Sequence, residues 1–392
     1  LRVGGGEYDL RILDRLASSP HLEDVRIAGR VLDARTLQVV GSLPRLTTLT
    51  LMSTNVSTES LSLLSGLNDL RRLNLMRTDV QAGDLGIPQW SKNIEVLYLP
   101  HPDPGDTASC TIRGWPSLQQ FVINDLDSQA NSVAMQVTLE DLPALERIDL
   151  TTFQKFDLTL RNLPQLSAIG GLAFEWQTRI PRRGTLPGSI WFSRLDADQV
   201  PALKSLQFFT VDLEHLRVQN APNFQVLGAG AFYLTFRQDR YASQLRPEVA
   251  TALLEGIGAS DGPIAVDLDA VPLGGADLSP LNGNKKLTEI RLSYSGTSIK
   301  EWKSLAGNNQ IRSLHLLGNP INNDALAWVL DACPSLEELK CTPNDDFSDG
   351  GASIRLVNRP NLRVLDLGDF PSEYFMDVEI VESPNVAMEL RL

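Results

Sequence analysis

The chain is poor in the residues from which reactive or cross-linked centres are built. Its 392 residues include three cysteines and four histidines. Cys110, Cys333 and Cys341 are too few for a disulfide framework, and Cys333 and Cys341, eight apart, read as buried thiols. His21, His101, His215 and His315 stand singly and show no zinc spacing with the cysteines, so neither metal nor cofactor is expected. Basic charge is scarce too: 35 Lys and Arg against 48 Asp and Glu leave a formal charge of −13. So acidic a chain makes nucleic acid an unexpected partner. No apolar run approaches the roughly 18 residues of a membrane span. Leu1 is not a methionine and no apolar signal core follows it, which reads as a processing boundary. The compartment stays open. Unpaired cysteines lean toward a reducing, cytoplasmic one, whereas a removed upstream signal would make the protein extracytoplasmic.

Leucine at fixed intervals is what the chain has in plenty. From Leu43 to Asp79 it reads LPRLTTLTLMSTNVSTESLSLLSGLNDLRRLNLMRTD. A shift of twenty-four residues lays Leu46, Leu49, Leu51 and Thr54 on Leu70, Leu73, Leu75 and Thr78, and Val56 on Val80. Leu-x-x-Leu-x-Leu is a short strand with its leucines on one side, because side chains alternate across a strand. Ser57 to Leu67 carries apolar residues at Leu61, Leu63, Leu64 and Leu67, nearer to a helical stripe. A unit of strand, turn and short helix cannot bury its own leucines, so units must stack.

This pattern resembles the leucine-rich repeat family, and the Thr-x-Val ending its bacterial branch, with threonine where other members carry asparagine or cysteine. The resemblance implies an α/β solenoid: a horseshoe with a parallel inner sheet, short helices outside at the ends and extended strands outside in the middle. It implies no common active site, so no catalytic residue is nominated.

Leading apolar residues recur in steps of twenty-four at Leu22, Leu46, Leu70, Ile94 and Leu118, and resume from Leu287 at Ile311, Leu336 and Leu362. Residues 1–20 form a weak first unit: Gly4-Gly5-Gly6 lacks the flanks of a phosphate loop, and Asp9 to Ala17 suits a closing helix. Outer helices are expected at Val31 to Val40, Ser57 to Leu64, Ile299 to Leu305 and Asn323 to Leu330, with Pro88 making one outer segment irregular. A second phrase appears after residue 100: CTIRGWP, VTLEDLP, LTLRNLP, LRVQNAP, IRLVNRP and VEIVESP, with LDADQVP a poorer copy. Each is period-two alternation running into a turn residue and a proline, so these returns are extended. Strands reach further per residue, which fits the shorter step of twenty-one from Leu145 to Leu166 and from Leu203 to Phe224. Two excesses interrupt the rhythm. GLAFEWQTRIPRRGTLPGSIWF, near 171–192, reads as a projecting hairpin; a segment near 229–262 contains FYLTF and a helix from Pro247 to Glu255. The last unit, with Val386, Met388, Leu390 and Leu392 in plain alternation, reads as out of phase. In all, about 14–15 repeats make one solenoid over 1–392.

If the leucines point inward, the residue between the last two of each strand faces out. That column is Arg26, Thr50, Asn74, Tyr98, Val122, Asp149, Gln207, Arg291, His315, Lys340 and Asp366. Tyr and Arg are favoured interface anchors. The candidate partner-binding residues are therefore Arg72, Asn74 and Tyr98, and separately Arg291, His315 and Lys340. The hairpin adds Trp176, Arg179, Arg182 and Arg183, aromatics with arginines on a long insertion. Any solvated sheet face carries such residues, and the tryptophans could equally pack the hairpin down. Asn344 to Gly351 holds three aspartates without the ligand spacing of a calcium hand, so a solvated turn is expected.

Three functions follow. The leading one is a non-enzymatic, monomeric scaffold binding a protein or peptide through the concave sheet and the hairpin. A carbohydrate-active enzyme of the parallel β-helix kind is the second, since the middle units are two-sided in strand. The third is the recognition segment of a larger multidomain protein.

Overall fold

The computed structural model describes residues 2–3, 21–29, 31–80, 92–99, 109–125, 134–152, 155–170, 191–209, 213–230, 246–305, 308–321, 323–343, 352–357, 359–369, 376–381 and 387–391. It contains two compact units, Leu1–Leu203 with Gln219–Ala221, and Lys204–Val218 with Pro222–Leu392. Each is an α/β solenoid built on a parallel ladder.

In the first unit the strands Asp24–Ile27, Thr48–Thr50, Arg72–Asn74, Val96–Leu99, Gln120–Asp125, Arg147–Thr152 and Ala168–Gly170 pair in that order. Arg2–Val3 pairs with the first of them. The register sets Val25, Leu49, Leu73, Leu97, Phe121, Ile148 and Ile169 one above another, none more than 3% exposed. This apolar spine is where hydrophobic burial holds the unit together. The threonines of the Thr-x-Val ending close each turn: Thr54 and Thr78 donate their hydroxyls to the Leu51 and Leu75 carbonyls, both at 2.7 Å.

Return segments follow their sequence. Ala34–Gly41 is a helix whose N-terminus is capped by Asp33, its carboxylate accepting from the Thr36 N–H at 2.7 Å. Glu59–Leu64 is a tighter 3₁₀ turn. Beyond residue 108 the returns become a second parallel ladder: Ser109–Arg113, Met135–Glu140, Lys155–Arg161 and Trp191–Asp198. His215–Gln219, Ala352–Val357 and Met376–Val381 are also strands, so all seven proline-ended phrases are extended. The turn residue two before the proline is left-handed at Gly114, Asp141, Asn162, Gln199 and Asn220, with φ between 50° and 70°. Gly, Asn and Asp tolerate that region best, which explains their recurrence there.

One boundary differs from expectation. Trp191 and Phe192, read as part of a hairpin arm, begin the strand Trp191–Asp198, with Phe192 paired to Phe156 and 1% exposed. Residues 171–190 of that hairpin lie outside the described residues. So do Trp176, Arg179, Arg182, Arg183, Asp9 to Ala17, Pro88, FYLTF and Asn344 to Gly351.

In the second unit the ladder runs Ser205–Phe209, Val226–Gly230, Ala265–Asp267, Glu289–Arg291, Ser313–Ile321, Glu338–Pro343, Val364–Asp369 and Ala387–Arg391. Leu206, Leu227, Val266, Ile290, Leu314, Leu339 and Leu365 form its spine, all at 1% exposure or less. The last strand corrects the out-of-phase reading: Met388 pairs with Leu365 and Glu389 with Asp366, in step with the rest. Helices Pro247–Ala259, Ile299–Trp302 and Asn323–Ala332, with 3₁₀ turns at Ser279–Gly283 and Lys303–Leu305, cover the other side. A parallel sheet repeats every ~4.8 Å, whereas packed helices prefer ~8–10 Å. Glycine reconciles the two spacings. A Cβ on Gly258 would sit 2.0 Å from the Pro280 carbonyl oxygen, and one on Gly283 2.9 Å from that of Gly258.

A candidate binding surface on the parallel sheet

The register places the column of outward positions as the alternation requires. In the first unit Arg26, Thr50, Asn74, Tyr98, Val122 and Asp149 are successive partners. In the second the series is Gln207, Gly228, Asp267, Arg291, His315, Lys340, Asp366 and Glu389. Three members are not the solvent-facing residues expected: Val122, Asp149 and Asp366 are 5%, 8% and 2% exposed. Longer neighbours cover Asp149, which accepts from Gln120 at 2.5 Å and from Arg147 at 2.6 Å.

Arg72, Asn74 and Tyr98 are brought together: Asn74 and Tyr98 are register partners, and Arg72 opens the strand that ends at Asn74. Arg72 is exposed and Tyr98 half-buried. Asn74 is partly spoken for, since its Oδ1 accepts from the Met76 N–H at 3.0 Å. Its amide nitrogen has no hydrogen-bond partner among the described residues.

Arg291, His315 and Lys340 come from three adjacent strands and form the denser group. The residues two earlier stand beside them as counter-charges. Glu289 accepts from Arg291 Nε at 2.7 Å, and Glu338 accepts from Lys340 Nζ at 3.1 Å. Ser313 donates to Glu338 at 3.2 Å and lies 3.2 Å from His315 Nε2, itself 3.7 Å from Glu338. Burial first, and then Lys340 and Arg291, hold the His315 imidazole below its ordinary pKa. Burial alone would raise the Glu338 carboxyl, but Lys340, His315 and Ser313 outweigh it and leave it below the usual range.

Sequence reasoning missed two members of this group, Asp267 and Asp269. The long step before Ile264 hid their unit, although VDLDAV, residues 266–271, carried the strand pattern. Asp267 is the register partner of Arg291. Asp269 accepts from the Ser293 N–H at 2.7 Å, and burial, with Asp267 adding repulsion, raises its carboxyl above the ordinary value. The outcome is a row of mixed charge on adjacent strands, Asp267, Arg291, neutral His315 and Lys340. Glu289 and Glu338 flank it.

Ser313, His315 and Glu338 have the composition of a nucleophile, base and acid but not their arrangement. Both the hydroxyl and the carboxylate approach the same ring nitrogen, Nε2, and the Ser313 hydroxyl is donated to Glu338. A working relay holds the hydroxyl on one ring nitrogen and the carboxylate on the other. Among the described residues no group of three or more His, Cys, Asp or Glu side chains is placed to hold a metal ion, and no helix is long and apolar enough to cross a membrane.

No protein-family model matches the chain, and no curated protein matches it. Among solved structures it is similar to an internalin (inlF) from Listeria monocytogenes at 15% identity and a TM-score of 0.34, over 98% of this chain and 93% of that one. It is also similar to the TLR13 chain of a complex with ssRNA13, at 15% identity and a TM-score of 0.29, over 95% of this chain and 62% of that one.

Proposed function

We propose that the chain is a non-enzymatic, monomeric scaffold that binds a protein or peptide through the open face of its parallel sheet. The row Asp267, Arg291, His315 and Lys340 carries this reading: four polar side chains from adjacent strands, fixed in register and held by their own counter-charges. Side chains already ordered lose little freedom when a partner arrives, so such a row binds at low entropic cost. A fixed pattern of one acid and two bases selects a partner of complementary charge and disfavours others. Arg72, Asn74 and Tyr98 form a second contact point, and Trp176, Arg179, Arg182 and Arg183 a third on the insertion. The net charge of −13 favours a protein partner over a nucleic acid.

A photo-crosslinking residue placed at Lys340, with another at Thr138 on the outer ladder, tests the surface. Crosslinked protein partner from position 340 and not from 138 is the expected result. Crosslinks only from 138, or only to nucleic acid, would overturn the reading. Replacing residues 180–186 by a short glycine turn asks the same of the insertion: retained partner would remove it from the interface.

A further inference from the structure

The residues just before the strands of the second unit form a rim, stapled repeat to repeat by the backbone. The N–H groups of Thr288 and Glu289 donate to the Ile264 carbonyl, those of Arg312 and Ser313 to Thr288, and those of Glu337 and Glu338 to Arg312. Beside that rim, Lys286 and Gln310 are anchored alike. Each N–H donates to the side chain of a buried asparagine two residues back, Asn284 at 3.0 Å and Asn308 at 3.1 Å. Between these rows lies an open groove of about 660 Å³.

Its chemistry runs against the rest of the chain. Lys285, Lys286 and Arg312 line it with Glu337 as the one carboxylate, in a protein of net charge −13. Lys285 donates to the Asn282 carbonyl at 2.9 Å, and no ion pair involves Lys285 or Lys286 among the described residues. Arg312 meets Glu337 at 3.0 Å in the open, where an incoming carboxylate can compete. Gln310 Oε1 is buried with no hydrogen-bond donor among the described residues. A buried acceptor left unmatched costs stability unless a donor arrives from outside. Ile264, 42% exposed, supplies an apolar patch at one end.

We propose that this groove binds an extended acidic peptide segment of a partner protein. Its carboxylates meet Lys285, Lys286 and Arg312, and the partly exposed Gln310 side chain turns to present its Oε1 to one backbone N–H. A nucleic acid strand also brings anions, but its sugar–phosphate backbone has no N–H for Gln310, and a long polyanion is repelled by the acidic body. The groove is separate from the Arg291–Lys340 row, so the two fail independently.

Fluorescence anisotropy on the full chain, with a labelled peptide of about eight glutamates, tests the groove; octaserine and an oligo-dT of equal length are the controls. The glutamate peptide should bind, and bind more weakly as salt rises. Lys285→Glu combined with Lys286→Glu should weaken it by roughly tenfold or more. Gln310→Met should weaken it several-fold, while Arg291→Ala combined with Lys340→Ala leaves it unchanged. Thermal melts of the surface variants confirm folding. No peptide binding by the unaltered chain, unchanged binding by either groove variant, loss in the sheet-face variant instead, or tighter binding of oligo-dT through the lysines would each overturn the proposal.

Discussion

The ring of Tyr294 lies over the backbone of Gly318: a methyl group on Gly318 would come 2.2 Å from Tyr294 Cδ1. Both residues are left-handed, with φ of 57° and 67°, as is Ala270 at 60° twenty-four residues earlier. The repeat demands that conformation, because the N–H groups of Ala270 and Tyr294 donate there to the Ser293 and Leu317 carbonyls. A bulky side chain in this region is strained by roughly 1–2 kcal/mol. Tyr294 keeps it while 66% exposed. Gly318→Ala therefore meets two penalties, the backbone and the ring. In a Tyr294→Gly background only the backbone penalty remains, so the loss in urea midpoint should be clearly smaller there. Equal losses in both backgrounds would mean that the ring and Gly318 are not coupled.

The faces of the sheet can be tested one residue apart. Leu73 is 1% exposed in the spine and Asn74 half-buried on the other side. Leu73→Asp buries a carboxylate among leucines and should cost several kcal/mol, enough to melt its unit at ordinary temperature. Asn74→Asp keeps the oxygen that accepts from Met76 and should change stability by less than about 0.5 kcal/mol. Comparable damage from both substitutions would reverse the assignment of faces.

The spine, the threonine turns and the seven extended returns were legible because each follows from a period: two for strands, twenty-four for stacked units. Leu49 and Leu73 announce themselves by neighbours that repeat with them. The column through Arg291, His315 and Lys340 came with that register. Burial within the column did not, because it depends on how far side chains such as Gln120 and Arg147 reach across to Asp149, which no spacing encodes. Asp267 and Asp269 were lost where the step lengthened from twenty-one to thirty-nine between Leu227 and Val266. The groove at Gln310 was invisible for another reason: its rows come from residues about twenty-four apart that share the anchoring asparagines Asn284 and Asn308 but not their lining side chains. Only the pairing of their strands brings them side by side.

Thiol chemistry should report the integrity of both cores. Cys110, Cys333 and Cys341 are all buried and unpaired. Burial pushes the Cys110 thiol up to about 12 and that of Cys333 to about 11. Burial, with repulsion from Asp366, takes Cys341 to about 12. Thiolate is the reactive form, so the native chain should scarcely react with Ellman's reagent at pH 8 and should release three equivalents in denaturant. A rapid native equivalent would place at least one cysteine outside the apolar spine.

His315 gives the second unit a stability that falls on mild acidification. Lys340 and Arg291 face its ring from the neighbouring strands, and Glu338, Ser313 and Glu289 surround it. Its folded pKa lies below the unfolded value of ~6.5, so above that pH both states are neutral and contribute no difference. As pH drops below ~6.5 the unfolded chain takes up the proton first, and stability is lost until the folded pKa is reached. Two neighbouring carboxyls titrate as well. Glu338, depressed, supports folding above its unfolded value and ceases to as pH falls through its folded one, while Asp269, raised, works in the opposite sense. Between pH 7.5 and 5 the histidine therefore contributes a loss of stability. Urea titrations of the second-unit transition should show a lower midpoint at pH 5 than at 7.5, and His315→Gln should flatten that dependence. An unchanged pH dependence in His315→Gln would move the proton uptake to another group.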